Sequence, residues 1–223
     1  MTQSESRPKR LRRNTLTKAR IIEATLAILD TAGRDALTFT RLGAQLGASS
    51  TAVYRYFASR DDILIAIADE LDRQSLDGYT PSEDWRESLL DLAIRAWTTA
   101  EQHPAAAVNS LFILTGGMNE LRAVDAVLEA LDKAGHHGRA AVLYYQAFAN
   151  LVLAMSAANA SRLLMDTTGS ATTIQEYHPA DPRLYPYVEA VKSDLRKIDQ
   201  REVFSNQVAF MIEAIGRGLL PPG

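Results

Sequence analysis

At 223 residues, 47% apolar and 23% charged, the chain has room for one large or two small folded units and the composition of an ordinary globular protein. The absence of cysteine excludes disulfides and thiolate metal sites and points to a reducing compartment, the cytoplasm. No apolar run reaches the roughly 18 residues of a membrane span, and no apolar segment follows the basic N-terminus, so neither a membrane partner nor a secretory signal is expected. Net charge is −3 and unevenly placed. Residues 1–60 hold 11 Lys/Arg against 4 Asp/Glu, and residues 61–223 hold 13 against 23. That split suits a basic module for a polyanion joined to an acidic body.

Residues 1–14 read as a disordered basic arm, with Arg7, Lys9, Arg10, Arg12 and Arg13 within seven positions. A first helix is expected from the N-cap Thr17 to Ala32, with Ile21, Ile22, Leu26, Ile28 and Leu29 inward and Gly33 as its stop. Thr38 caps a second helix, which Gly47 breaks. Ser49 and Ser50 are candidate caps for a third, about Ser50 to Phe57. Leu42 and Leu46, then Val53 and Phe57, mark the buried faces of this helix-turn-helix. The second of its helices presents Thr51, Tyr54, Arg55 and Tyr56 and no carboxylate, as a DNA major groove requires. A capping box at Ser59 and Asp62 opens a fourth helix running to about Leu76. Gly78, Pro81 and Ser82 mark the hinge between residues 15–78 and residues 79–223.

The rest reads as all-α. Helix 5 covers about Asp84 to Gln102, with Leu89, Leu90, Ala93, Ala96 and Trp97 inward. His103-Pro104 starts helix 6, which is expected to run through Leu111–Leu114 to Gly116-Gly117. Helix 7 covers about Asn119 to Ala134, with Val124, Val127, Leu128 and Leu131 inward. Helix 8, from Gly138 towards Met165, is apolar almost all round, as in a helix buried on several sides. Residues 166–183 read as a mobile loop. Helices of about Leu184–Lys197 and Gln200–Leu220 end the chain. Asp132, His136 and His137 read as a solvated helix end, so no metal and no cofactor is expected. No catalytic triad, P-loop or dinucleotide fingerprint appears, and no enzymatic activity is expected.

Residues 17–76 resemble the N-terminal domain of the TetR family of bacterial transcriptional regulators. The resemblance rests on Gly33, Leu37-Thr38, Leu42, Leu46-Gly47, Tyr54, Tyr56-Phe57 and the run from Ser59 to Leu64. Gly43, Ala48 and Arg60 stand where alanine, valine and lysine are usual. The resemblance implies an obligate homodimer that presents two recognition helices to successive major grooves of operator DNA. By position, Thr38, Tyr54, Tyr56 and Arg60 look like phosphate contacts, and Ser50, Thr51 and Arg55 like base readers. Arg41, Ser49 and the arm residues Arg10, Arg12 and Arg13 complete the expected DNA-binding set.

Residues 84–220 are similar, more weakly, to the effector and dimerisation domain of the tetracycline-repressor branch. That likeness implies a small, largely apolar effector among Trp97, His103, Phe112, Met118, Leu131, Tyr144, Phe148 and Asn159. It implies a dimer interface built from Leu151, Met155, Val208, Phe210, Met211, Ile212 and Ile215. The expected function is a ligand-responsive regulator, a repressor by family habit. The rivals are an all-α small-molecule binder and a non-specific DNA-binding protein.

Overall fold

A computed structural model of the chain describes residues 16–167 and 182–219. The described residues are helical, without strands. The first half of the topology is a head of four helices: α1 (Lys18–Ala32), α2 (Phe39–Leu46), α3 (Ser50–Tyr54) and α4 (Arg60–Ser75). Ile21, Leu26, Ile28, Leu29, Leu42, Val53, Phe57, Ile63 and Ile67 fill its core. Each such side chain contributes about 1.5–3 kcal/mol by leaving water. Gly33 and Gly47 take φ of 72° and 62°, the left-handed region where a Cβ is penalised, and so end α1 and α2.

The body comprises α5 (Trp85–Gln102), α6 (Pro104–Ser110), α7 (Met118–Lys133), α8 (Gly138–Thr167), α9 (Pro186–Lys197) and α10 (Gln200–Gly216). Its core joins Trp85, Leu89, Trp97, Val127, Leu131, Tyr144, Phe148, Phe204, Val208 and Ile215. The helix α8 packs against α5, α6, α7 and α10. The two cores interlock through two elements. Ala105 and Ala106 of α6 lie in the head core, and Leu76, the C-cap of α4, lies in the body core.

Several sequence expectations are corrected. The helix α3 ends at Tyr54, not Phe57. Phe57 is drawn into the head core, and Tyr56 N–H closes a tighter turn onto the Val53 carbonyl at 2.9 Å. The helix α6 ends at Ser110 rather than at Gly116-Gly117. The N–H groups of Thr115 and Gly116, which a continued helix would spend on carbonyls four residues back, donate to the Glu120 carboxylate at 2.7 and 2.6 Å. Leu90, expected inward, is exposed. The segment Gly138–Met165, with mean hydropathy 1.4, is long and apolar enough on average to cross a membrane, although Arg139, Gln146, Asn150 and Ser156 interrupt its apolar run. In this fold it is the helix shared by the body's other layers. Of the expected 166–183 loop, residues 168–181 lie outside the described residues, as do Arg10, Arg12 and Arg13.

Candidate nucleic-acid interface and helical body

The DNA-facing candidates sit on three helix starts, each closed by a local side chain. Thr38 Oγ1 accepts the Arg41 N–H at 3.2 Å and caps α2. Ser49 Oγ accepts the Ala52 N–H at 3.2 Å, so Ser49 and not Ser50 caps α3. At α4, Ser59 Oγ accepts the Asp62 N–H at 3.1 Å, while Asp62 Oδ2 accepts from Ala58 and Ser59 N–H at 3.0 Å each. This is the capping box read from the sequence.

Thr38, Arg41, Ser49, Thr51, Tyr54 and Arg55 are exposed, and Ser50 is half-buried. The Tyr54 ring stacks on Phe39 with centroids 3.8 Å apart and planes 2° from parallel. An exposed aromatic is thereby held rigid on the surface of α2 and α3. Tyr56 and Arg60 also make contacts within the head. Tyr56 donates its hydroxyl to the Leu16 carbonyl at 2.6 Å. Arg60 Nη2 donates to the Arg34 carbonyl at 2.5 Å, and its Nε is buried without a partner. Both side chains are half-buried, and they tie their segment to the two ends of α1, Tyr56 to Leu16 just before it and Arg60 to Arg34 just after it.

Gly43, which stands where alanine is usual, has no room for a side chain. A Cβ there would lie 2.8 Å from the Ala48 carbonyl oxygen and 3.0 Å from Ser50 N. The missing side chain is what lets the turn and the start of α3 press against α2, and the Ala48 N–H reaches the Gly43 carbonyl at 2.8 Å.

In the body, Trp97, Leu131, Tyr144 and Phe148 share one core, and Asn159 is also buried. Phe112 and Met118 do not join them: they are 62% and 77% exposed, on and beside the α6–α7 connection. His103 also leaves the expected pocket. Its Nδ1 faces Asp30 Oδ2 of α1 at 2.9 Å and its Nε2 faces Gln74 Oε1 of α4 at 3.1 Å.

Trp97 stacks on Phe204 of α10 at 4.4 Å. The Trp97 Nε1, Ser156 Oγ and Gln207 Oε1 atoms are buried without hydrogen-bond partners. Asn159 Nδ2 donates to Glu101 at 3.1 Å, Arg162 donates to Asn159 Oδ1 at 3.0 Å, and Arg201 lies 3.8 Å from Glu101. Sequence reasoning missed Glu101, Ser156, Arg162 and Gln207. Polar residues on otherwise apolar helices were the available signal. A cleft of about 440 Å³ opens elsewhere, between α1 and α4, beside Ile22, Leu26, Glu70, Arg73 and Gln74.

The expected dimer face is also redistributed. Val208, Ile212 and Ile215 are buried in the core of their own protomer, because positions spaced four and three apart on α10 all face inward. Phe210 is 73% exposed, and Leu151, Met155 and Met211 are half-buried. Val142 and Leu143 add exposed apolar surface at the start of α8. His136, expected in a solvated end, is held by the Ile215 carbonyl at 2.8 Å and packs on Tyr144.

Acidic residues join α4 to α7. Asp69 accepts from the Asn119 N–H at 3.0 Å, the Asn119 side chain at 2.8 Å and the Glu120 N–H at 3.2 Å. A Cβ on Gly117 would overlap the Asp69 carboxylate. Burial, reinforced by the charges of Glu120 and Asp69, pushes the neighbouring Asp72 carboxyl up to about 7. No group of three or more His, Asp or Glu among the described residues is placed to hold a metal.

Residues 21–67 match the family described as bacterial regulatory proteins, tetR family. The HTH-type transcriptional repressor DrrR1 of Streptomyces coeruleorubidus is 30% identical over 99 residues, 44% of this chain and 37% of that protein, so the match spans well under half of its length. An HTH-type transcriptional regulator of Saccharopolyspora erythraea is 27% identical over 172 residues, 77% of this chain and 72% of that protein. The TetR family protein ActR of Streptomyces coelicolor, solved in complex with actinorhodin, superposes with a TM-score of 0.75 over 92% of this chain and 98% of its own, at 19% identity. That last likeness is one of fold.

Proposed function

We propose that this chain, whose residues 21–67 match the tetR family of bacterial regulatory proteins, is a cytoplasmic homodimer that binds a palindromic operator and releases it when a small effector enters the body. The observation that carries this reading is the exposed surface of α3 and its C-cap, where Thr51 and Arg55 stand free of carboxylates behind a Ser49 cap. Thr38, Arg41 and Tyr54 flank it as phosphate contacts, with Arg10, Arg12 and Arg13 as an arm. Arg55 is the residue suited to a bidentate contact with guanine. Repression as the sign of control is supported by the repressor among the relatives.

An effector is supported by the ActR complex with actinorhodin and by the unpartnered polar atoms at Trp97, Ser156 and Gln207. We assign its site to the α5–α8–α10 core, with Trp97, Tyr144, Phe148 and Asn159 as contacts. The atoms waiting there call for a ligand with both an apolar body and hydrogen-bonding groups. Release is a two-state shift, so the effector must bind the DNA-incompetent geometry more tightly than the competent one.

Selection of bound sequences from random duplex DNA tests the reading directly, and a two-fold symmetric site is the expected product. Arg55→Ala is expected to weaken binding to that site about 10- to 100-fold, from the roughly 1–3 kcal/mol of a bidentate base contact. Unchanged affinity and sequence preference would remove α3 as the reader. Phe210→Asp is expected to yield monomers by sedimentation, and a persisting dimer moves the interface off α10.

A further inference from the structure

His103 stands at the corner between α5 and α6 and touches neither the DNA-facing surface nor the buried core of the body. Its two ring nitrogens face two acceptors on two elements of the head. Nδ1 lies 2.9 Å from the Asp30 carboxylate near the end of α1, and Nε2 lies 3.1 Å from Gln74 Oε1 on α4. The Gln74 amide cannot be turned round to offer its nitrogen instead. Its Nε2 donates to Glu70 Oε1 at 2.9 Å, and a carboxylate only accepts. Both ring nitrogens therefore need a hydrogen, which only the imidazolium carries.

We infer that His103 is the positioning residue that ties the head to the body, and that it does so as the imidazolium, so that this side chain adds a pH-dependent component to operator affinity. That component is separate from that of the Asp72 carboxyl at the α4–α7 junction. The inference rests on the proposed function for its DNA-binding half, because there the ligand-free, latched chain is the DNA-competent one.

Carboxylates face the ring from two elements of the head. Asp30 faces it from α1, and Glu70 faces it from α4 through Gln74. Burial raises the Glu70 carboxyl, but hydrogen bonds from Arg73 and Gln74 and the charges of Arg73 and His103 outweigh this and hold it below its ordinary value. Arg73 is the one opposing cation among these neighbours, and both its Nε and Nη2 are bound to Glu70 at 2.8 Å. On α5, Glu101 turns to Asn159, and α6 has no titratable side chain. The chain's four histidines are 103, 136, 137 and 178, so none lies in the head.

Two measurements on the full-length chain test this. Nitrogen-15 shifts of the His103 ring, followed from about pH 6 to about pH 8, report whether both nitrogens carry protons, and the doubly protonated ring is expected at the lower pH. A neutral ring at the lower pH overturns the inference. Affinity for a selected operator duplex is then compared between the parent and His103→Gln. The parent is expected to bind about five- to tenfold tighter at the lower pH, a coupling at the low end of the usual range, and the two to converge at the higher. A ratio that stays constant with pH overturns the inference. Asp30→Asn, which keeps the side-chain shape, is expected to reproduce the loss at the lower pH and guards against a folding defect in the first variant. Absence of any preferred duplex at either pH would fail the regulator reading and the DNA half of the inference, while the ring shifts still decide the protonation of the latch.

Discussion

Head and body are both made of amphipathic helices, yet they are finished differently. In the head, Thr17, Thr38, Ser49 and Ser59 each accept the N–H three residues ahead, so α1 to α4 all start on a side-chain cap. In the body, α5 and α10 start on the Asp84 and Asp199 caps, but α6, α7 and α9 start without one. The Nε atom of Arg60 is the head's buried polar atom without a partner, against Trp97 Nε1, Ser156 Oγ and Gln207 Oε1 in the α5–α8–α10 core. A buried polar group left unmet costs about 1–3 kcal/mol. The head spends local chemistry on holding one geometry. The body carries polar atoms that an incoming group can satisfy.

The largest expected effect that tests this contrast is at Gly43. Helix propensity alone favours alanine there by about 1 kcal/mol. The backbone atoms 2.8 and 3.0 Å from the added Cβ oppose it. Gly43→Ala is expected to lose about 1–3 kcal/mol in urea denaturation, as overpacking does. A more stable variant would show that the turn yields and that the head is not the stiff half.

Asp72 gives the next effect, at the junction of α4 with α7. Its carboxyl is raised from an ordinary 3.8 to about 7, first by burial and then by Glu120 and Asp69. The folded chain keeps this proton over a range in which the unfolded chain has lost it. The associated stability is therefore complete below about pH 4 and is lost as pH rises through about 7. Asp72→Asn is expected to melt roughly 2–6 °C above the parent at alkaline pH and level with it in mild acid. Equal melting at both would mean that the site is wetter than its burial implies.

The smallest effect is at Ser156 in the body. Removing a hydroxyl that bonds to nothing is expected to leave stability unchanged or to raise it by up to about 1 kcal/mol. A clear loss in Ser156→Ala would mean that the hydroxyl is already satisfied, and the contrast between head and body would shrink.

The same division governs what the sequence makes legible. The caps at Thr17, Thr38 and Ser59, the stops at Gly33 and Gly47 and the capping box at Asp62 are written within four residues of where they act, and each is readable by local rule. His103 is not. Its partners lie 73 and 29 residues away, and only the packing of α1 and α4 against the α5–α6 corner brings them together. The wide apolar stripe of α10 is visible in sequence, but which part faces inward depends on α5 and α8. Thus Val208 and Ile215 fall in the core while Phe210 points out. Tyr56 looks like a phosphate contact by position, and the Leu16 carbonyl that takes its hydroxyl is 40 residues earlier.

The seat of Asp69 on the first turn of α7 has a kinetic consequence. One carboxylate on α4 receives three N–H donors from Asn119 and Glu120, and Gly117 leaves no side chain between them. Any displacement of α4 relative to the body must either break all three bonds together or carry the start of α7 with it. Exchange measured at the Asn119 amide and at amides of α4 would then share a single rate constant and a single population, as two reporters of one moving part.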